Sequence, residues 1–260
     1  MSGLLARWPD LGPRLVSAAV MVVAGLGAIW CGGAVFSALV LVVTGLMLWE
    51  LARMTAAPRG IPASGLGLSA AGALALALLF PQAALPFLPL PALAGIARPR
   101  RDRTVFFLYA LLILATGYGL IALRGLGLAP ILWIVAVVVA SDVLGYFAGR
   151  SLGGPKFWPA VSPKKTWSGT VAGWIGAALV GLGFHLSGQG GASLIWLSAL
   201  MGFAGQMGDI AESAVKRRAG VKDSSNLIPG HGGVLDRFDA LATATVLALA
   251  LHWLGCLPVG

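Results

Sequence analysis

An all-α, polytopic integral membrane protein is the fold class this sequence predicts, and three observations predict it. Hydrophobic residues fill 58% of the 260 positions, and only 10% of residues are charged. The mean hydropathy is +0.90. A soluble domain carries about 25% charge, so this chain could not cover a water-facing surface. Glycine occupies 37 positions, about twice the usual share. Such an excess is costly in soluble helices but lets helix backbones approach closely in lipid. Finally, apolar runs recur at the length that crosses a hydrocarbon core of ~30 Å. A soluble monomer, a disordered chain and a coiled coil are excluded.

Taken in order, the apolar runs fall at about 15–31, 34–51, 64–80, 82–97, 104–123, 129–148, 168–187, 192–209 and 239–257, which predicts about nine transmembrane helices. The first lacks a small-x-small cleavage site and reads as an anchor. The 82–97 run is the weakest because Pro86, Pro89 and Pro91 interrupt it, and proline removes backbone hydrogen bonds. Basic residues arbitrate. With the N-terminus cytoplasmic and nine spans, Arg7, Arg14, Arg53, Arg59, the 98–103 cluster, 150–165 and 216–237 all face the cytoplasm. Only Arg124 does not, so 17 of the 18 basic residues share one side. The positive-inside rule therefore favours nine spans. We expect residues 1–130 to form N-terminal transmembrane helices. Residues 131–260 then form a C-terminal catalytic region with cytoplasmic loops 149–167 and 210–238.

The net charge of +9 would fit nucleic acid. Its distribution fits a lipid bilayer better, and no nucleic-acid partner is expected. Cys31 and Cys256 offer no metal spacing.

The nine acids are more informative because they are so few. Five of them, Asp209, Glu212, Asp223, Asp236 and Asp239, fall within 209–239. Asp209, Glu212, Ser213 and Lys216 share a helical face by their i, i+3, i+4, i+7 spacing. Asp236 and Asp239 are spaced i, i+3 at the start of the last span. Two carboxylate pairs at the ends of consecutive helices can converge on a divalent cation. An all-oxygen donor set favours Mg²⁺ over zinc. Between them lies Pro229-Gly230-His231-Gly232-Gly233, whose glycines would let backbone amides approach a phosphate. Lys216, Arg217 and Lys222 could neutralise a polyphosphate. The combination suggests phosphoryl or nucleotidyl transfer at the membrane surface.

Upstream, Ser162-Pro163-Lys164-Lys165-Thr166-Trp167 places two lysines and two hydroxyls before a helix N-terminus, a good anion site. Positive-inside anchoring explains the lysines alone about as well. Asp142 lies late in the sixth span, where an ionisable group is a functional-site hypothesis by default. Glu50, beside Trp49, reads as an interface anchor, and His185 and His252 as interfacial residues.

The run Ser213-x-Val215-Lys216-Arg217-x4-Lys222-Asp223-x-Ser225-x2-Ile228-Pro229-x-His231-Gly232-Gly233-Val234-x-Asp236-Arg237-Phe238-Asp239 resembles the signature of the phosphatidate cytidylyltransferase (CDP-diacylglycerol synthase) family. The 162–167 segment and the stretch from Asp142 to Arg150 also resemble it, so the likeness covers about 140–240. Ser168 departs from the pattern, which has Glu or Gln there. The resemblance implies that CTP and phosphatidic acid give CDP-diacylglycerol and pyrophosphate. It implies Asp209, Asp236 and Asp239 as metal ligands, with Mg²⁺ and K⁺ as the candidate ions of a two-metal centre. Asp223 is a further ligand or an orienting residue, and Lys216 belongs with the catalytic set. Arg217, Lys222 and Arg237 would hold phosphates, and His231, Gly232, Gly233, Ser162, Lys164, Lys165, Thr166 and Asp142 would contact substrate. The resemblance further implies a homodimer in the cytoplasmic (inner) membrane, with its site facing the cytoplasm.

Three rivals are weighed against it. A CTP-using polyprenol or phytol kinase would transfer the γ-phosphoryl group instead. A CDP-alcohol phosphotransferase would need Gly and Ala-Arg where Ala240 follows Asp239. A transporter built around Asp142 would place its acids near the bilayer midplane.

Overall fold

The computed structural model describes residues 11–259. Arg7 and Asp10 lie outside the described residues. In chain order the helices are α1 (Leu11–Cys31), α2 (Gly33–Met54), α3 (Ala63–Leu79), a 3₁₀ turn (Pro81–Ala83), α4 (Ala84–Phe87), α5 (Leu90–Ala97), α6 (Arg103–Gly125) and α7 (Leu128–Leu152). A hairpin of β1 (Lys156–Trp158) and β2 (Ser162–Thr166) follows, then α8 (Trp167–Leu186), α9 (Ser193–Ala219) and α10 (Leu235–Trp253). Among the described residues, α1, α2, α6, α7, α8 and α9 are long and apolar enough to cross a membrane.

The remaining expected spans have physical reasons to differ. α3 is 17 residues long, slightly under the ~20 that a bilayer asks for. The 82–97 run is broken into three short pieces, with Pro81 and Pro91 at or beside helix starts and Pro89 capping α5. There the missing N–H groups cost least. α10 carries Asp236, Arg237 and Asp239 in its first five residues, so its polar start and apolar remainder do different jobs. Two boundaries also move. α9 runs on to Ala219, ten residues past the apolar run, so Asp209, Glu212 and Lys216 stand on one continuous helix. The 149–167 loop contains the β1–β2 hairpin, with Lys156 opposite Thr166 and Trp158 opposite Ser162.

Contacts divide the chain into two compact units. The first holds the described residues to 111 together with 221–237. In it α2 and α3 pack along each other, burying Met47, Leu48, Leu51, Leu66, Ala70 and Leu74. Arg100 is also buried. Its guanidinium donates to the carbonyls of Gly95 (3.1 Å) and Ala52 (2.9 Å) and to Thr55 Oγ1 (2.9 Å), and it lies over the Phe106 ring. Desolvation pulls its pKa below the usual arginine value, and the three acceptors offset that cost. Arg100 thus ties the 98–102 turn to the end of α2.

The second unit holds 112–220 and 238 onward. There α8 packs along both α7 and α9 around Trp133, Ile134, Val137, Ala177, Leu197 and Met201. Apolar burial drives little association in lipid, so close contact and internal hydrogen bonds must do it. Both are present. Trp133 Nε1 donates to Ser198 Oγ at 2.7 Å. A methyl on Gly169 would stand 2.6 Å from the Gly145 carbonyl, so α7 and α8 touch backbone to backbone. The outward faces remain apolar, as at Ile175, Leu179 and Trp196.

Candidate functional site

In the second unit two of the three acids that the signature implies as ligands, Asp209 and Asp239, come together with Glu212, while Asp236 and Asp223 belong to the first unit. One ligand oxygen each from Asp209, Glu212 and Asp239 lies within 4.8 Å of the others. Asp209 and Glu212 are one turn apart on α9, and Asp239 comes from α10. The approach of these helices depends on Gly208. Any side chain there would meet the Asp239 carbonyl at 2.3 Å and Thr243 Oγ1 at 2.4 Å. Thr243 Oγ1 donates to the Ala204 carbonyl (2.7 Å), which pins α10 to α9 one turn further along. Glu212 is fully buried and paired with Lys216.

Lys165 reaches the same cluster from β2. Its Nζ lies 2.7 Å from Asp209 Oδ2 and donates to the Gln206 carbonyl at 3.0 Å. The hairpin explains this reach, because alternate residues of a strand face opposite sides. Lys165 is half-buried beside Asp209, whereas Lys164 is exposed. Ser162 opens the strand opposite Trp158. Thr166 is the N-cap of α8, its Oγ1 accepting from Gly169 N (3.2 Å). Ser168 bonds Thr166 Oγ1 at 3.0 Å and the Gly153 carbonyl, so here it serves the cap. Asp142, on α7, is exposed and lies, like Asp209 and Lys216, within electrostatic reach of Asp239. Arg217 is exposed in the last turn of α9.

The first unit holds the rest of the signature, organised around a tight turn. Ile228 N donates to the Gly232 carbonyl (2.8 Å), and His231 N donates to the Ile228 carbonyl (2.9 Å). Gly230 supplies the positive φ of 74° at the apex. Lys222, Asp223 and Arg237 are exposed. Arg237 Nη2 donates to the His231 carbonyl (2.9 Å), and His231 Nδ1 lies 2.8 Å from Ser17 Oγ. Asp236 faces inward. Its Oδ2 accepts from Ser224 N (2.9 Å), Ser224 Oγ (2.9 Å) and Gly233 N (2.7 Å).

Glu50 corrects the sequence reading. It is no interface anchor. It is 0% exposed, and both carboxylate oxygens are engaged by the signature loop. Oε1 accepts from Ser225 Oγ (2.5 Å) and Val234 N (2.9 Å). Oε2 accepts from Ser224 Oγ (3.1 Å) and Leu235 N (2.6 Å). Two of these donors are backbone amides at the start of α10, which have no partner within the helix. A negative charge at a helix N-terminus is favourable as well. Gly233 makes room for the arrangement, since a Cβ there would stand 1.9 Å from Ser224 Oγ and 2.5 Å from Glu50 Oε1. At least one of the three loop glycines therefore has a packing reason to be glycine. One signal for Glu50 was visible in the sequence: it is an acid inside an apolar run. Its partners are more than 170 residues away, beyond any local pattern.

Chemically, the two carboxylate groups differ. Around both oxygens of Glu50 and around Asp236 Oδ2 the neighbours are hydrogen-bond donors, so these oxygens hold a loop. At Asp209, Glu212 and Asp239 three acceptor-only groups face one another beside two lysines. Like charges so close repel, and a bound cation would relieve that repulsion. An all-oxygen donor set fits a hard divalent ion.

The sequence model of a family described as "Cytidylyltransferase family" matches residues 13–254. The chain is similar to a protein named phosphatidate cytidylyltransferase from Brucella abortus (strain 2308), with 47% identity over 123 residues, 46% of each chain. It is similar to one of that name from Bacillus subtilis (strain 168), with 44% identity over 117 residues, 44% of each. A third, from Pseudomonas aeruginosa, is 37% identical over 149 residues, 55% of each. The chain spans about half the length of the curated relatives it matches.

Proposed function

We propose, from the premise that this chain belongs to the cytidylyltransferase family, that it transfers the cytidylyl group of CTP to phosphatidic acid, giving CDP-diacylglycerol and pyrophosphate. Its place is the cytoplasmic membrane. The N-terminus and the catalytic face of 131–260 look into the cytoplasm, and the chain crosses nine times and pairs as a homodimer. The asymmetry of its basic residues supports the orientation.

The observation that carries the reading is the Asp209–Glu212–Asp239 cluster, with Lys165 and Lys216 paired to its members. Asp209, Glu212 and Asp239 would hold Mg²⁺. The signature alone supports Asp236 as a further ligand, Asp223 as an orienting residue and K⁺ as a second ion. A bound divalent ion supplies charge neutralisation between the two phosphates and on the leaving pyrophosphate. The reaction needs no protein nucleophile. A phosphate oxygen of phosphatidic acid already bears charge and forms its bond to the α-phosphorus as the bond to pyrophosphate breaks. The residues therefore position and neutralise. Lys165 and Lys216 keep positive charge beside the acids. Arg217, Lys222, Arg237 and Lys164 offer exposed donors to polyphosphate, and His231 contacts substrate without acting as a base.

The test separates this reading from γ-phosphoryl transfer. Purified protein receives phosphatidic acid and CTP labelled either in cytidine or at the γ-phosphate, with and without Mg²⁺. We expect cytidine label in the lipid, the γ-label in pyrophosphate, and neither without the ion. A lipid carrying the γ-label would mean a kinase.

A further inference from the structure

We propose that Glu50 is a positioning residue for the nucleotide site. Its buried carboxylate gathers Ser224, Ser225, Val234 and Leu235 and so clamps both ends of the loop whose neighbours and members include Lys222, Asp223, His231 and Arg237. The proposal deepens the cytidylyltransferase reading, on which its kinetic consequence rests.

The geometry asks for a carboxylate. All four groups on Glu50 are donors, and a carboxylate is the side chain that only accepts. Each oxygen takes one hydroxyl and one backbone amide. A hydroxyl can rotate and accept instead, but a backbone N–H cannot. An isosteric glutamine would turn its NH₂ toward Val234 N or Leu235 N, whichever way it flipped. One helix-start amide would then lose its acceptor inside a buried site. Ser224 also connects this clamp to Asp236, because its hydroxyl lies 3.1 Å from Glu50 Oε2 and 2.9 Å from Asp236 Oδ2. It has one hydrogen for two carboxylates, so loss of Glu50 alters what Asp236 receives. The clamp is made in the first unit, between the end of α2 and the turn entering α10, and it contributes no group that touches substrate.

Hydrogen exchange and steady-state kinetics on the detergent-purified full chain test it, comparing wild type with E50Q and E50D. In E50Q we expect exchange of peptides covering 224–235 to rise on the order of 10-fold, with peptides from α3 unchanged. We expect the KM for CTP to rise about 30-fold, the loss of one charge-assisted hydrogen bond, while kcat changes little. E50D, which keeps an acceptor-only group, falls between. A merely structural role would reduce the fraction of active molecules and leave KM alone. Should E50Q not fold, S225A removes the single 2.5 Å donor and shifts both readouts the same way by less. Unchanged exchange in 224–235 overturns the proposal, and so does a loosened loop with an unchanged KM. If wild type makes no CDP-diacylglycerol, the functional reading fails, and exchange in 224–235 then decides Glu50 by itself.

Discussion

Glu50 with Asp236, and Asp209 with Glu212 and Asp239, are carboxylate groups built in opposite ways. The first is surrounded by hydroxyls and backbone amides, with Glu50 taking four of them and Asp236 Oδ2 three. The second sets three carboxylates against each other within 4.8 Å. Donors around an acid use up its lone pairs and fix the chain. Acids around an acid repel, and a proton, a paired lysine or a bound cation relieves that repulsion. The same residue type thus shapes a loop in one unit and in the other gathers into a group that could hold an ion.

The contrast can be broken most sharply at the ion site. Asp209→Asn and Asp239→Asn each remove a charge and a ligand, and we expect kcat to fall on the order of 10³-fold with the protein still eluting as folded. Turnover within tenfold of wild type at saturating Mg²⁺ would remove these residues from the ligand set. Next comes Lys165→Met, which deletes the cation paired with Asp209. Activity should fall about 10²-fold, and steady-state rates against CTP concentration would show it. A smaller effect is expected at Gly233→Ala, where the added methyl collides with Ser224 Oγ and Glu50 Oε1. Overpacking of this kind costs about 1–3 kcal/mol, read as a lower unfolding midpoint. Smallest of all, Thr166→Val removes the α8 cap and should cost about 1 kcal/mol by the same measurement.

The two carboxylate groups also differ in how far the sequence revealed them. The acidic cluster of Asp209, Glu212 and Asp239 was legible in part: Asp209 and Glu212 are one turn apart on one helix and Asp239 sits at the start of the next polar-to-apolar transition, but the family signature points to Asp236 where the cluster has Glu212. Periodicity within a helix is a local property. The apolar runs were legible for the same reason, and six of them appear as long apolar helices among the described residues. Prolines disclosed the break at 82–97. Glu50 was illegible in its role because four partners from 224–235 supply its reason to be buried. Lys165 was visible as a base before a helix, but its pairing to Asp209 needed the hairpin, which a short Lys-rich strand does not advertise. In sequence Gly233 looks like an opening for phosphate, whereas its contact with Glu50 depends on a residue more than 180 positions away.

The central claim, that Asp209, Glu212 and Asp239 form the cation site and Glu50 does not belong to it, is tested most directly by Mn²⁺ binding. Paramagnetic resonance on the purified wild type, the Asp209→Asn/Asp239→Asn double variant and Glu50→Gln would follow the ion without any need for turnover. We expect wild type and Glu50→Gln to bind Mn²⁺ and the double variant to lose it. Binding that survives in the double variant, or disappears in Glu50→Gln alone, would contradict the account.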